Sequence, residues 1–377
     1  MSAAGIIFSN LHDRNIAELT GTRTMASIPF MCRYRFVDFP LSNMVHAGIT
    51  DIKVITHYNY HSLMEHIGSG KDWDLALHSG GIKILPPYIT AYANNVNTLY
   101  NSRMEALKSV HHSLQQIKQD YVVLSDCDVI CNMDLNDVIN THIKTGADIT
   151  LVAKHIDFTS RESHNGVMIE ADENGRLTNM IIHPKNHTGY NYINMNVMVM
   201  SRKFLNSMLL EAIAHNYTSF NRDIIMKNKD IMDFRIYEYN GFVASMSSFK
   251  EYFSASMDIL NNQQYMEELF NVPGRAIFTK VHNSAPTSYS STASASNSLI
   301  ADNCTIQGTV ENCILFRGVK VSRNAVVRNS ILFQDTYVGE NASVDFTVAD
   351  KRVVFRDGGK TAGTKENPVY VDKGTMI

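Results

Sequence analysis

From residue 300 onward, aliphatic side chains recur every six residues. Ile300 and Ile306 open the pattern. After a two-residue offset, Ile314, Val326, Leu332, Val338 and Val344 share one register, interrupted by Lys320, and Val348 and Val354 follow after a further offset. A period of six fits neither a helix at 3.6 nor a strand at 2. It fits a triangular solenoid, a parallel β-helix, in which each face turns one aliphatic residue inward per six. A run of ordinary short strands is the alternative. Residues 284–298 are rich in Ser, Thr, Ala and Pro, which is linker chemistry. The chain therefore divides into an α/β domain at 1–260, a linker at 261–297, and a β-helix domain with a C-terminal tail at 298–377. Residues 357–377 are polar and carry no readable pattern.

The first 260 residues have another texture. Short apolar runs at 5–8, 51–56 and 121–125 read as buried strands. Between the last two, residues 102–118 place Met104, Leu107, Val110, Leu114 and Ile117 at helical spacing, predicting a core-facing helix. A further strand is expected at 148–154. Residues 167–171 and 177–182, separated by a segment with Asn-Gly, predict a hairpin. Strand–helix alternation predicts a mostly parallel sheet covered on both faces. Ligands of such sheets bind beyond the carboxyl ends of the strands.

With 377 residues and 44% apolar side chains, the chain can bury a large core and a smaller one. Its 34 Lys and Arg against 37 Asp and Glu leave a net charge of −3, against a binder of nucleic acid or anionic membranes. No stretch is apolar and long enough to span a bilayer, and the N-terminus lacks the pattern of a secretory signal. Cys32, Cys127, Cys131, Cys304 and Cys313 are odd in number and lack zinc-ligand spacing. Reduced thiols in the cytoplasm are expected.

Longer motifs carry a family resemblance. Arg33-Tyr-Arg-Phe-Val-Asp-Phe-Pro-Leu-Ser-Asn43, Gly48-Ile-Thr-Asp-Ile-Lys-Val-Ile-Thr56, Gly81-Ile-Lys-Ile-Leu-Pro-Pro87 and Ser219-Phe-Asn-Arg-Asp-Ile-Ile225 are similar to glucose-1-phosphate adenylyltransferase, or ADP-glucose pyrophosphorylase. The similarity runs on into the six-residue repeats. It implies a Rossmann-like nucleotidyltransferase α/β domain followed by a left-handed parallel β-helix. It also implies a reaction of ATP with glucose 1-phosphate giving ADP-glucose and diphosphate. That chemistry needs a glycine-rich loop, cationic side chains and Mg²⁺ held by carboxylates.

Measured against the family's motifs, most of these parts are altered. The glycine loop after the first strand reads Ser9-Asn-Leu-His-Asp-Arg-Asn-Ile16. It has no glycine, Asp13 adds negative charge, and Asn15 stands where the family has arginine. Arg14 is displaced by one position and reads as a surface residue. Met25 replaces a phosphate-binding lysine. In the sugar-phosphate motif, Ile182 replaces glutamate and His183 replaces lysine. Asp128 keeps one metal carboxylate, while Ser245 occupies the position of the second. Asp126 has no assigned role and reads as a strand-end or turn carboxylate. Losing one preorganised electrostatic group costs about 10²–10³ in rate, so several losses together imply little or no activity even without additivity.

These losses resemble the GlgD-type, non-catalytic subunits of the family. The resemblance implies a catalytic GlgC partner in a hetero-oligomer, a heterotetramer, with Mg²⁺ required by that partner. Arg23 and Arg35 match family arginines that line an inter-subunit anion site, which implies phosphorylated metabolite effectors; ordinary ion-pair roles are the alternative. The β-helix and the helices of the first domain are the expected assembly surfaces. Three other readings stay open: an active adenylyltransferase using His183 and Arg14 as substitute cations, a hexapeptide-repeat acyltransferase, and a stand-alone sugar-nucleotide sensor.

Overall fold

The run Ala3–Phe8 is hydrogen-bonded on both sides by parallel neighbours, Asp51–Ile55 and Tyr121–Asp126, and so is apolar on both faces. Alternate residues serve different cores. Ile7 and Val123 pack on one face of the sheet, and Ile6, Phe8, Val122 and Leu124 on the other. The computed structural model describes residues 2–86, 100–157, 166–182 and 190–377. The first domain holds a nine-stranded sheet. Its parallel half ends in Gly81–Leu85. Beyond Tyr121–Asp126 the long strand Tyr190–Ser201 enters antiparallel. Val167–Ala171 and Leu177–Ile182 form the expected hairpin. Its turn is held by Asp172, whose Oδ1 accepts from the backbone N–H groups of Asn174 and Arg176 at 2.9 Å.

The helix expected at 102–118 is divided into Arg103–Ser109 and His111–Gln115, with Val110 outside helical geometry at φ −116°. All five stripe residues are nevertheless buried. The first segment starts at Ser102, whose hydroxyl caps the N–H of Glu105.

The C-terminal region is the left-handed parallel β-helix, three five-stranded parallel sheets. Its inward column differs in part from the simple six-residue register. Leu315, Val321, Val327, Leu332, Val338, Val344, Ala349 and Phe355 fill the interior. Leu315, Leu332 and Ala349 stack at 17-residue steps, because the two coils between Leu315 and Ala349 each carry two spacings of six and one of five. The register through Ile314, Lys320 and Val326 is therefore one residue early, which explains the interruption: Lys320 points to solvent and Val321 points in. Ile314, Ile331 and Val348 face outward, but into the core of the first domain together with Phe316 and Phe333. This face of the solenoid meets helix Phe249–Asn261, with Phe253 against Phe346 and Phe249 against Tyr370 at ring separations of 6.3 and 5.7 Å.

The segment 261–297, expected as linker, differs from that expectation. It contains helix Gln263–Phe270 and the first coil of the solenoid, Ser288–Tyr289 and Ser294–Ser296. An end coil has a neighbour on one side only, so its strands stay exposed and polar and resemble a linker in composition. The unread tail completes the last coil with Lys360–Ala362 and Val369–Val371. Asn297, Asn312 and Asn329 turn the coil corners at positive φ and join Asp345 in a side-chain ladder. Among the described residues, no helix is long and apolar enough to cross a membrane.

Candidate active-site cleft

A cleft of about 1180 Å³ opens at the carboxyl ends of Ala3–Phe8 and Tyr121–Asp126, the place where open α/β sheets bind ligands. The loop leaving Ala3–Phe8 should present backbone N–H groups to phosphate. Instead its side chains are engaged within the protein. Asn10 is buried, pairs with His57 and accepts from the Tyr100 hydroxyl at 3.1 Å. Asp13 Oδ1 accepts from the backbone N–H of Met25 at 2.7 Å. Burial pushes the Asp13 carboxyl up to about 7, against the opposing influence of that hydrogen bond and of His12. Met25 is 2% exposed and packs in the main core, so the residue at the lysine position contributes to packing. Asn15 is exposed at the cleft wall. Arg14 is exposed, as expected, with its nearest polar contact at 3.5 Å from the Asn101 side-chain oxygen.

The floor of the cleft holds two carboxylates. Asp126 ends its strand with a side chain 1% exposed, and Asp128 follows at 13%. Arg103 donates to Asp126 Oδ2 at 2.7 Å, and His12 Nε2 lies 2.8 Å from the same oxygen and 3.5 Å from Asp128 Oδ2. Asn196 completes the cluster. Its Nδ2 donates to Asp128 Oδ2 at 3.0 Å and its Oδ1 accepts from Arg103 at 3.1 Å. Asn196 reaches this position from a left-handed backbone at φ 57°, inside the irregular part of Tyr190–Ser201. Burial works against a charged His12, but Asp128 and Asp126 outweigh it and raise the imidazole to about 9. Burial likewise opposes ionisation of Asp126, yet Arg103 and His12 hold it below the usual carboxylate range. Asp128 is pushed up, chiefly by burial.

Ser245 stands beside Asp128, as the motif alignment requires. Strand Ala244–Ser245 pairs with Val129–Ile130, and the N–H of Met246 donates to the Asp128 carbonyl at 2.8 Å. Among the described residues, the group able to offer metal ligands here is His12, Asp126 and Asp128, whose ligand atoms lie within 4.8 Å of one another. This donor set does not fit Mg²⁺. That ion requires octahedral oxygen ligands and is held by one or two carboxylates. Both outward carboxylate oxygens are already engaged by nitrogen donors, and Ser245 offers only a neutral hydroxyl.

The other expected residues lie elsewhere. Arg23 is 2% exposed and bonded to both Asp350 oxygens at 2.7 Å, so it is not an open anion contact, which corrects the expectation for it. Its guanidinium was needed to neutralise a carboxylate buried in the domain seam. Arg35 donates to the Ser62 carbonyl and hydroxyl at 2.6 and 2.8 Å. Burial lowers Arg35 to about 10 despite Asp38. It shares the seam with Lys351, which burial, then Arg35 and Arg23, lower to about 7. His183 lies outside the described residues, and Ile182 is exposed at the end of its strand. His12, Arg103 and Asn196 escaped the sequence reading. One available signal was Arg103, a charged residue in the first turn of a helix with an otherwise apolar face.

Comparison with known proteins agrees with this architecture. Residues 14–236 match the nucleotidyl transferase family, and residues 281–367 match the GlmU-like C-terminal hexapeptide family. The chain is 32% identical over 374 residues to the glycogen biosynthesis protein GlgD of Geobacillus stearothermophilus, spanning 99% of this chain and 96% of that protein. It is 29% identical over 372 residues to the glycogen biosynthesis protein GlgD of Bacillus subtilis, spanning 99% and 96%. It is 27% identical over 361 residues to the glucose-1-phosphate adenylyltransferase of Fervidobacterium nodosum, spanning 94% and 84%.

Proposed function

Because the chain belongs to the nucleotidyl transferase family, we propose that it is a regulatory, catalytically impaired subunit of glucose-1-phosphate adenylyltransferase, acting in glycogen biosynthesis in the cytoplasm. Full-length similarity to proteins named GlgD supports the assignment. The observation that carries it is the cleft floor, where Asp126 and Asp128 are held by Arg103, His12 and Asn196. Met25 in the core and Asp13 in the loop point the same way. Among the described residues of the cleft, Arg103 and Lys154 are already bonded within the chain. Mg²⁺ belongs to the reaction of the family and of the catalytic partner.

The partner in this reading is a catalytic GlgC subunit in a heterotetramer. Phosphorylated metabolites act through cations at the domain seam. Arg35 and Lys351 remain candidates for that anion contact, while Arg23 positions the seam through Asp350. Pyrophosphate release is measured for this chain alone, for the catalytic subunit alone, and for the co-expressed pair. The reading requires no turnover by this chain and a pair whose effector response differs from that of the catalytic subunit. Robust turnover by the single chain overturns it.

A further inference from the structure

A two-carboxylate floor invites a divalent cation, yet its Oδ2 oxygens are engaged by the chain itself. A cation entering from the cleft meets Asp128 Oδ2 first, which already accepts from Asn196 at 3.0 Å and lies 3.5 Å from His12. Asp126 Oδ2 is engaged by Arg103 and His12 at 2.7 and 2.8 Å. The remaining oxygens, Asp126 Oδ1 and Asp128 Oδ1, are buried and without a hydrogen-bond partner, so the engaged Oδ2 atoms are the ones that the chain's own cations and amide hold. Arg103 is itself fixed. Its side chain is 8% exposed and its guanidinium lies over the Phe8 ring at 5.6 Å. A guanidinium is permanently charged, and a cation that displaced it from Asp126 would leave that buried positive charge without its counter-ion.

We infer that Arg103 and His12, seated by Asn196, have taken the place of the divalent cation at Asp126 and Asp128, so that this chain carries its own counter-charge and any ligand of its cleft binds without metal. The inference concerns this chain alone and does not depend on the proposed partnership.

Mn²⁺ binding to the full-length protein, followed by electron paramagnetic resonance without nucleotide or partner, tests it. The wild type leaves the free-ion signal unchanged at millimolar metal. The H12A/R103A variant, with two carboxylates facing each other, gains one bound Mn²⁺ per chain and loses it again when D128N is added. Since Arg103 is buried, H12A/N196G serves as the second variant; it opens Asp128 Oδ2 at a backbone angle that glycine accepts. It gains a weaker, saturable signal. Two results overturn the inference. One is a wild-type protein that binds Mn²⁺ in a manner abolished by D128N. The other is folded variants as indifferent to Mn²⁺ as the wild type.

Discussion

Arg23 and Asp350, 327 residues apart in sequence, meet through one guanidinium nitrogen and both carboxylate oxygens at 2.7 Å, with each side chain 3% exposed. The pair bridges the α/β domain and the β-helix. Tyr370 donates to the same carboxylate at 2.9 Å, and Phe333 lies 5.9 Å from the guanidinium. The contact shows why an arginine expected to receive an anion does so internally. The anion it receives is a side chain of the solenoid, so the pair joins the two domains.

Breaking this pair from one side is expected to destabilise the protein by about 3–5 kcal/mol, because the surviving charge is left buried and bare. Urea titration of R23A and D350A should each show that loss. The double variant R23A/D350A should lose less than the sum of the two. Single variants with unchanged urea midpoints contradict the account.

The solenoid register makes a sharper contrast. Leu315 is fully buried among inward residues, while Lys320, on the plain six-residue count from Ile314, is exposed. L315A should cost about 2–5 kcal/mol, and K320A should stay within about 0.5 kcal/mol of wild type. Thermal unfolding of both variants decides it. Equal losses would mean that the column of interior residues is misassigned.

The same contrast separates what the sequence could tell from what it could not. Aliphatic spacing shows that a solenoid is present, since every coil must present interior residues. It cannot show where a spacing of five interrupts two of six, nor that Ile314 and Val348 serve a second core, since an outward face packed on another domain is as apolar as an interior. At the cleft, the losses at Met25 and Ser245 were legible as changes of residue type within motifs. The cluster at Asp126 was not. His12, Arg103 and Asn196 come from three distant segments, and Asn196 acts through a left-handed backbone angle that leaves no pattern in sequence.

Lys351 gives a pH-dependent prediction. In the folded protein it is lowered from 10.5 to about 7 by burial and by Arg35, Arg23 and Lys373, with Asp350 opposing them. Between those values the unfolded chain holds a proton that the native chain has released, so this residue's contribution to stability rises with pH. Below about 7 both states are protonated and the full penalty of a charged, crowded ammonium is present. K351M should therefore melt higher than wild type near pH 7, and the gain should fade toward pH 10. A gain that grows with pH would reverse the sign and exclude this origin.

Restoring single residues should not restore chemistry. Ser245 is exposed beside Asp128, so S245D should fold with a stability within about 0.5 kcal/mol of wild type. Its new carboxylate nevertheless faces an Asp128 already engaged by Asn196 and flanked by His12. Met25 remains in the core and Asp13 in the loop. M25K forces an ammonium toward that apolar core without a placed partner, and a drop in melting temperature is expected. Each missing electrostatic group accounts for about 10²–10³ in rate, and groups acting as a unit do not recover singly. Pyrophosphate release from ATP and glucose 1-phosphate with Mg²⁺ should stay at background for S245D, M25K and their combination. Turnover by S245D alone would show that one carboxylate was the whole deficit, and that the His12–Asp126–Arg103 cluster does not obstruct the reaction.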